Sequence, residues 1–261
     1  MVSARRSWER GVWRTAPMAK LDDKSLPLLH QVDCLLCGAE LVYLAEAEPM
    51  TCLSCGAASQ SRARCANGHF VCDACHGASA GDVIETFCAH TSDTDPVGIA
   101  LALLRHPAVK MHGPEHHFLV PAALVAAFCN ARGEPDRKGA LVREARKRSS
   151  SVLGGFCGYQ GACGAGIGTG TFVALVTGST PLDGKARGLA NRMTAEALAI
   201  IGRTDGPRCC KRDSFLALLA GARFARRELG VDLGAKGPTC EFHERNRECL
   251  EAACPFRRAH A

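Results

Sequence analysis

The sequence contains no run of about eighteen apolar residues, so no segment of it reads as a membrane span. Its opening, MVSARRSWERGVWRTAPMAK, is basic at both ends and lacks a continuous apolar stretch, which excludes a secretory signal pattern. Aromatic residues make up only 5% of the 261 residues, yet 47% are hydrophobic, enough for one good core or two small ones. One-signed charge is also scarce. The formal net charge is +6, and the first 20 residues supply most of it through Arg5, Arg6, Arg10, Arg14 and Lys20 against Glu9. The remainder is too close to neutral for a nucleic-acid footprint. The basic stretch from Arg132 to Arg148 reads as the solvated face of a helix.

Cysteine, by contrast, is abundant, with 16 in the chain. Without a secretory signal the expected setting is the cytoplasm, where thiols bind metal or react more often than they cross-link. Residues 1–30 hold both tryptophans, Trp8 and Trp13, and show no periodicity. They read as a disordered or extended leader, with Met18 as an alternative start.

Residues 31–78 read as a two-zinc Cys/His module. Cys34-x2-Cys37-Gly and Cys52-x2-Cys55-Gly are knuckle pairs, each able to turn two thiolates onto one tetrahedral ion. Cys65, His69, Cys72 and Cys75 add four ligands, and His76 can replace one of them. Hydrophobic residues are sparse here, so metal must supply the missing stability. Two pairings are open. Sequential sites would join Cys34, Cys37, Cys52 and Cys55, then Cys65, His69, Cys72 and Cys75; an interleaved arrangement would be a cross-brace. Residues 43–49 have the length of a ribbon hairpin and turn, which favours sequential pairing. Zinc is the expected metal, with a rubredoxin-type iron site on the first four cysteines as the alternative. Closed four-ligand sites are structural.

Residues 79–261 read as a helical, cysteine-rich domain, because apolar residues recur at helical spacing with alanine in place of β-branched residues. The fold class is therefore mainly α, with a small zinc-ribbon or treble-clef-like module in front. Asp95-Pro96 and Pro114 mark helix starts, and Pro121 marks a kink or the true start of the second helix. A basic helix spans 136–150. Leu189, Met193, Ala197 and Ile200 form one stripe, and Gly230 closes the last long helix.

Further cysteines punctuate this domain. Cys129 in an alanine-rich helix reads as a small buried hydrophobe, and Cys88 is ambiguous. GGFCGYQGACGAGIGTG sets Cys157 and Cys163 among eight glycines, which permit close backbone approach to a cofactor. It has no G-K-[ST], so a phosphate loop is a poor fit; a glycine-lined helix crossing is the plain alternative. Cys209 and Cys210 precede a helix whose N–H groups would favour thiolate, making them catalytic candidates. Cys240-x8-Cys249-x4-Cys254-Pro255 resembles the end of an iron–sulfur segment, where proline often follows the last ligand. Cys157, Cys163, Cys240, Cys249 and Cys254 are expected around one pocket as cluster ligands, with a third zinc site or unligated thiols as alternatives. His112 and His116, flanking Glu115 at a helix start, are site-adjacent candidates, since the dipole lowers an imidazole pKa.

The C-x-x-C-G knuckles, CANGHFVCDACH, CGYQGACGAGIGTG, GPRCCKRDSF and the closing CPF together resemble an uncharacterised cysteine-rich family found mainly in anaerobic microbes. The resemblance spans about residues 34–256, implies an oxygen-sensitive setting, and carries no established activity. The expected function is that of a cytoplasmic metalloprotein with two zinc ions and an iron–sulfur cluster, serving redox, sulfur-transfer or cofactor-maturation chemistry. A spare thiolate suits sulfur carriage. The alternative is a zinc-only adaptor or regulator that binds protein or nucleic acid.

Overall fold

A computed structural model describes residue 34 and residues 39–257; the leader and Cys37 lie outside the described residues. The described residues form one compact unit. It begins with an antiparallel hairpin of β1 (Leu41–Thr51) and β2 (Ala58–Cys65), followed by α1 (Asp73–His76). Eight more helices follow: α2 (Ala80–His90), α3 (Pro96–Arg105), α4 (Glu115–Arg132), α5 (Pro135–Ser149), α6 (Phe156–Tyr159), α7 (Gly164–Thr177), α8 (Gly184–Ile201) and α9 (Cys210–Leu229). The protein is mainly helical, as its patterning predicts. Among the described residues, no helix is long and apolar enough to cross a membrane.

Local chemistry accounts for the helix ends. The Asp95 carboxylate accepts from the Val97 N–H at 2.8 Å and Pro96 occupies the first turn, so α3 starts where its orphan donors are satisfied. Asp183 caps α8 in the same way, through the Ala186 N–H. Glycines at 133, 178 and 230 adopt left-handed conformations and close α4, α7 and α9.

The middle of the domain is α4, which packs against α2, α3, α5, α7 and α9. Every residue from Phe118 to Cys129 is buried, and a helix that is apolar all round belongs in a core rather than on a surface. Pro121 does not begin it; α4 runs from Glu115 through this residue to Arg132. Proline lacks the N–H that would have reached the His117 carbonyl. The hydroxyl of Ser149, last residue of α5, donates to that carbonyl instead at 3.2 Å, so α5 repairs the gap.

Helix α7 reaches α4 and α8 through glycines. A Cβ at Gly168 would lie 2.7 Å from Pro121 Cδ and 3.2 Å from the His117 carbonyl oxygen, and one at Gly170 would lie 2.9 Å from the Ala190 carbonyl oxygen. Neither a proline ring nor a backbone carbonyl can swing aside. Gly168→Ala is therefore expected to lower stability by about 1–3 kcal/mol despite alanine's better helix propensity, read as a lower urea midpoint. An unchanged or raised midpoint would show that the α4–α7 spacing is slack.

Residues 231–257 form an extended segment with two short 3-10 turns, His243–Arg245 and Glu251–Ala253, that packs beside α9. It is anchored by Phe242 and Phe256, both buried; Phe256 meets Phe215 of α9 edge-to-face at 5.4 Å. The Cys240 N–H donates to the Phe256 carbonyl at 2.7 Å, closing the segment into a loop that carries three cysteines.

Candidate metal centres

Among the described residues, two groups could each hold a metal ion, their ligand atoms lying within 4.8 Å of one another inside each group: Cys52, Cys55, Cys72 and Cys75, and Cys34, Cys65 and His69. The pairing is interleaved, so the sequential reading is corrected. Its premise placed the ribbon hairpin between the first two knuckles, whereas residues 43–49 lie within strand β1 and the turn of the hairpin is the second knuckle itself. Pairing Leu41 with Cys65, together with the Ala66 N–H bonded to the Glu40 carbonyl at 2.9 Å, carries the start of β1 to the end of β2. Cys34 thus meets His69, with Sγ and Nδ1 3.7 Å apart.

At the other end of the hairpin, the Cys52 N–H bonds the Ala57 carbonyl, and Gly56 takes φ +73° to complete the knuckle. The chain then returns: the Leu53 N–H donates to the Phe70 carbonyl at 3.0 Å and the Cys72 N–H to Cys52 Sγ at 3.4 Å. Cys55 and Cys72 sulfurs stand 3.7 Å apart. Four thiolates at about 2.3 Å from a tetrahedral zinc ion are separated by about 3.8 Å, so this group has the spacing of a single-ion site. Burial works against ionisation of Cys52, but the N–H groups of Cys72, Cys55 and Ser54 bring it down to about 7, whereas burial drives Cys75 up to about 12.

Six of the nine cysteines of the helical domain line two neighbouring cavities. Cys240, Cys249 and Cys254 share a cavity with Cys209. Its open space is about 10 Å³, about one water. Three of its four sulfurs receive N–H donors: Cys209 from Arg212 N and Asn246 Nδ2, both at 3.5 Å, Cys240 from Phe242 N at 3.4 Å, and Cys249 from Glu251 N at 3.4 Å. Cys157 and Cys163, expected with them, instead line a neighbouring pocket of about 300 Å³ with Arg208, Arg212 and Asp213. Arg212 borders both spaces. It is nearly fully buried and spends its guanidinium on Asp213 at 3.1 Å and the Pro207 carbonyl at 3.1 Å.

The catalytic candidates separate likewise. Cys209 caps α9 and faces the smaller cavity, while burial, Asp213 and Cys157 push the Cys210 thiol up. Burial also drives Cys209 up to about 11, so the helix N-terminus does not by itself make either a ready thiolate. His116 is buried; its Nδ1–H donates to the Gly113 carbonyl at 3.0 Å and Nε2 has no partner. Desolvation and then the Lys211 charge hold its pKa down to about 3, which is a stronger cause than the helix dipole invoked for it. His112 bonds Asn246 Oδ1 at 3.1 Å, and Asn246 reaches Cys209, so His112 stands one residue back from the smaller cavity. Cys88 and Cys129 lie in the apolar core with no exposure.

Sequence reasoning passed over Arg212 and Asp213. Their signal was available: in CCKRDSF three charged residues fall in the first turn of a helix whose next residues are core, and all three are buried.

No curated protein and no solved structure matches the chain. Residues 84–257 match a family of unknown function, DUF5714, a span that starts after the Cys/His module and takes in both cysteine neighbourhoods of the helical domain. The chain therefore belongs to DUF5714.

Proposed function

We propose that the protein is a cytoplasmic iron–sulfur protein with a structural two-zinc module. Cys52, Cys55, Cys72 and Cys75 would hold one zinc ion, and Cys34, Cys65 and His69 the other, with Cys37 as its fourth ligand. These ions would fix the hairpin against α1 and carry out no chemistry. Cys209, Cys240, Cys249 and Cys254 would hold the cluster, which supplies one-electron redox capacity when bound.

The observation that carries the reading is the convergence of those four cysteines, from the start of α9 and from the 231–257 segment, on one mostly apolar cavity. A tetrahedral zinc ion draws its thiolates to about 3.8 Å separation and leaves no void. A cluster stands them farther apart, because iron and sulfide occupy the space between. The 3.7 Å between Cys55 and Cys72 follows the first pattern, and among the described residues Cys209, Cys240, Cys249 and Cys254 do not form a group whose ligand atoms all lie within 4.8 Å, which suits the second. The N–H donors to Cys209, Cys240 and Cys249 suit thiolates that carry cluster charge, since a hydrogen bond to sulfur favours its ionised form. Phe215, Phe242 and Phe256 around the cavity keep water away, which tunes the potential of such a site. Reactions open to this arrangement are electron transfer, sulfur transfer and cofactor maturation.

Purification without oxygen tests it. The protein should contain iron as well as zinc and show a broad visible absorption that bleaches on reduction. Cys254→Ala should abolish the band, whereas Cys129→Ala, in the apolar core, should retain it. A colourless protein with zinc alone, even after reconstitution with iron and sulfide, would overturn the proposal and favour the zinc-only adaptor.

A further inference from the structure

The larger of the two neighbouring cavities lies outside both zinc groups and the proposed cluster. It encloses about 300 Å³, the size of a site for a small molecule. Its charges do not cancel. Asp213 takes the Arg212 Nε–H at 3.1 Å, and Arg212 also donates to the Pro207 carbonyl, so that buried pair is balanced within itself. Arg208 lines the same pocket, is exposed, and has no ion-pair partner among the described residues. Helix α7 begins here as well: Cys163, its N-cap, borders the space, and the first N–H groups of this fourteen-residue helix carry the positive end of its dipole. The end of α8 would oppose an anion, but the N–H groups of Gly202, Arg203 and Thr204 already take the Leu198, Ile200 and Ile201 carbonyls.

Two further features narrow the choice of ligand. The Leu198 and Ile201 side chains give the pocket an apolar lining, which a fully hydrated inorganic ion does not use. Gly158, which also borders it, has no structural need to be glycine. A Cβ there would meet no atom within 4 Å, and its backbone lies outside the left-handed region, whereas Gly161 takes φ +64°. Alanine would serve the short helix α6 better. A side chain at 158 would occupy only the pocket or the solvent beside it, so the missing Cβ keeps the approach clear.

We propose that this pocket binds a small organic carboxylate, which enters past Gly158, places its charge at Arg208 near the start of α7, and lays its apolar part on Leu198 and Ile201 beside the Cys157 thiol. Arg212 lines this pocket and the four-cysteine cavity alike, so the bound ligand stands one side chain from that cavity. The site does not depend on which metal the cavity holds.

Cys157 supplies the reporter, because it is the exposed thiol among the described residues, while burial pushes Cys163 up to about 12. The full chain, purified without oxygen, is alkylated with iodoacetate, itself a small carboxylate, and with the neutral iodoacetamide. The ratio of the two rates at Cys157 is read by peptide mass spectrometry and compared with the ratio for a free peptide of residues 154–160. The protein should raise that ratio about tenfold over the peptide. Arg208→Gln should return it to the peptide's value, and Arg208→Lys, which keeps the charge, should retain most of the gain. Butyrate should protect Cys157 in the wild type and not in Arg208→Gln, whereas phosphate at equal ionic strength should protect neither. Gly158→Leu should slow both reagents with the melting temperature unchanged. A ratio equal to the peptide's overturns the proposal, and so does a raised ratio that survives Arg208→Gln, a Cys157 that neither reagent labels, or a lack of protection by butyrate. Equal protection by phosphate and butyrate overturns the organic class of the ligand, and undiminished rates in Gly158→Leu overturn the entry past that glycine.

Discussion

Stripping the metal from the Cys/His module should unfold it, with a loss on the order of 10 kcal/mol for each structural zinc site. The hairpin of residues 41–65 exposes most of its side chains, and the well-buried residues of the module are chiefly its cysteines. Few apolar contacts would remain to hold β1 on β2. Cobalt replacement can follow the two ions separately, because a four-sulfur site and a site containing histidine differ in their visible bands. In the interleaved arrangement, Cys34→Ser must damage the histidine-containing site and leave the four-sulfur signature of Cys52, Cys55, Cys72 and Cys75 in place. His69→Ala must do the same. If Cys34→Ser removes the four-sulfur signature instead, the sequential pairing holds after all.

Acid should unfold the helical domain earlier than its carboxylates alone would dictate, and His116 is the reason. In the folded protein its bare Nε2 faces no acceptor, and it takes up a proton only near pH 3, against an ordinary value of 6.5. The unfolded chain therefore binds one more proton between those values, and stability falls as pH drops through the window by at most about 1.4 kcal/mol for each pH unit. Comparing urea unfolding at pH 7 and pH 4.5 in the wild type and in His116→Leu isolates the contribution. The variant should lose about 2–3 kcal/mol less on acidification. Equal acid losses in the two proteins would show that His116 finds a proton acceptor when charged.

Helices were readable where the chain states their ends. Asp95 with Pro96, Gly230, and the stripe through Met193 and Ala197 each rest on local chemistry that tertiary structure had no reason to override. Pro121 is the exception, because what decides its fate is a hydroxyl at Ser149, twenty-eight residues away and on another helix. The seven Cys and His residues that gather into possible metal groups were legible for the same local reason, but their pairing was not. It depends on whether the chain reverses between knuckles or at one, and the strand through residues 43–49 carries Pro49, which reads as a turn residue until it is seen in a bulged edge pair.

The division of the later cysteines was illegible for a geometric reason. Adjacent residues at a helix start project about 100° apart, so Cys209 and Cys210 can serve different neighbourhoods, and no spacing rule reveals which. Cys163 was grouped with the tail cysteines because all sit in turn-rich sequence. Arg212, which borders both spaces, was invisible as a divider, since a charged residue in a first helical turn ordinarily faces water.

The small residues that let α7 press against α4 and α8 also bear on how the domain responds to temperature. A core that includes Ala122, Ala123, Ala126 and Ala127 of α4, with Gly168 of α7 set against α4 and Gly166 and Gly170 against α8, releases less apolar surface on unfolding than leucine and phenylalanine layers throughout would. The heat capacity of unfolding scales with that surface. The stability curve of this domain should accordingly be broad and shallow, with little loss on chilling toward 0 °C, and its heat denaturation should spread over a wider interval than is usual for a chain of this length.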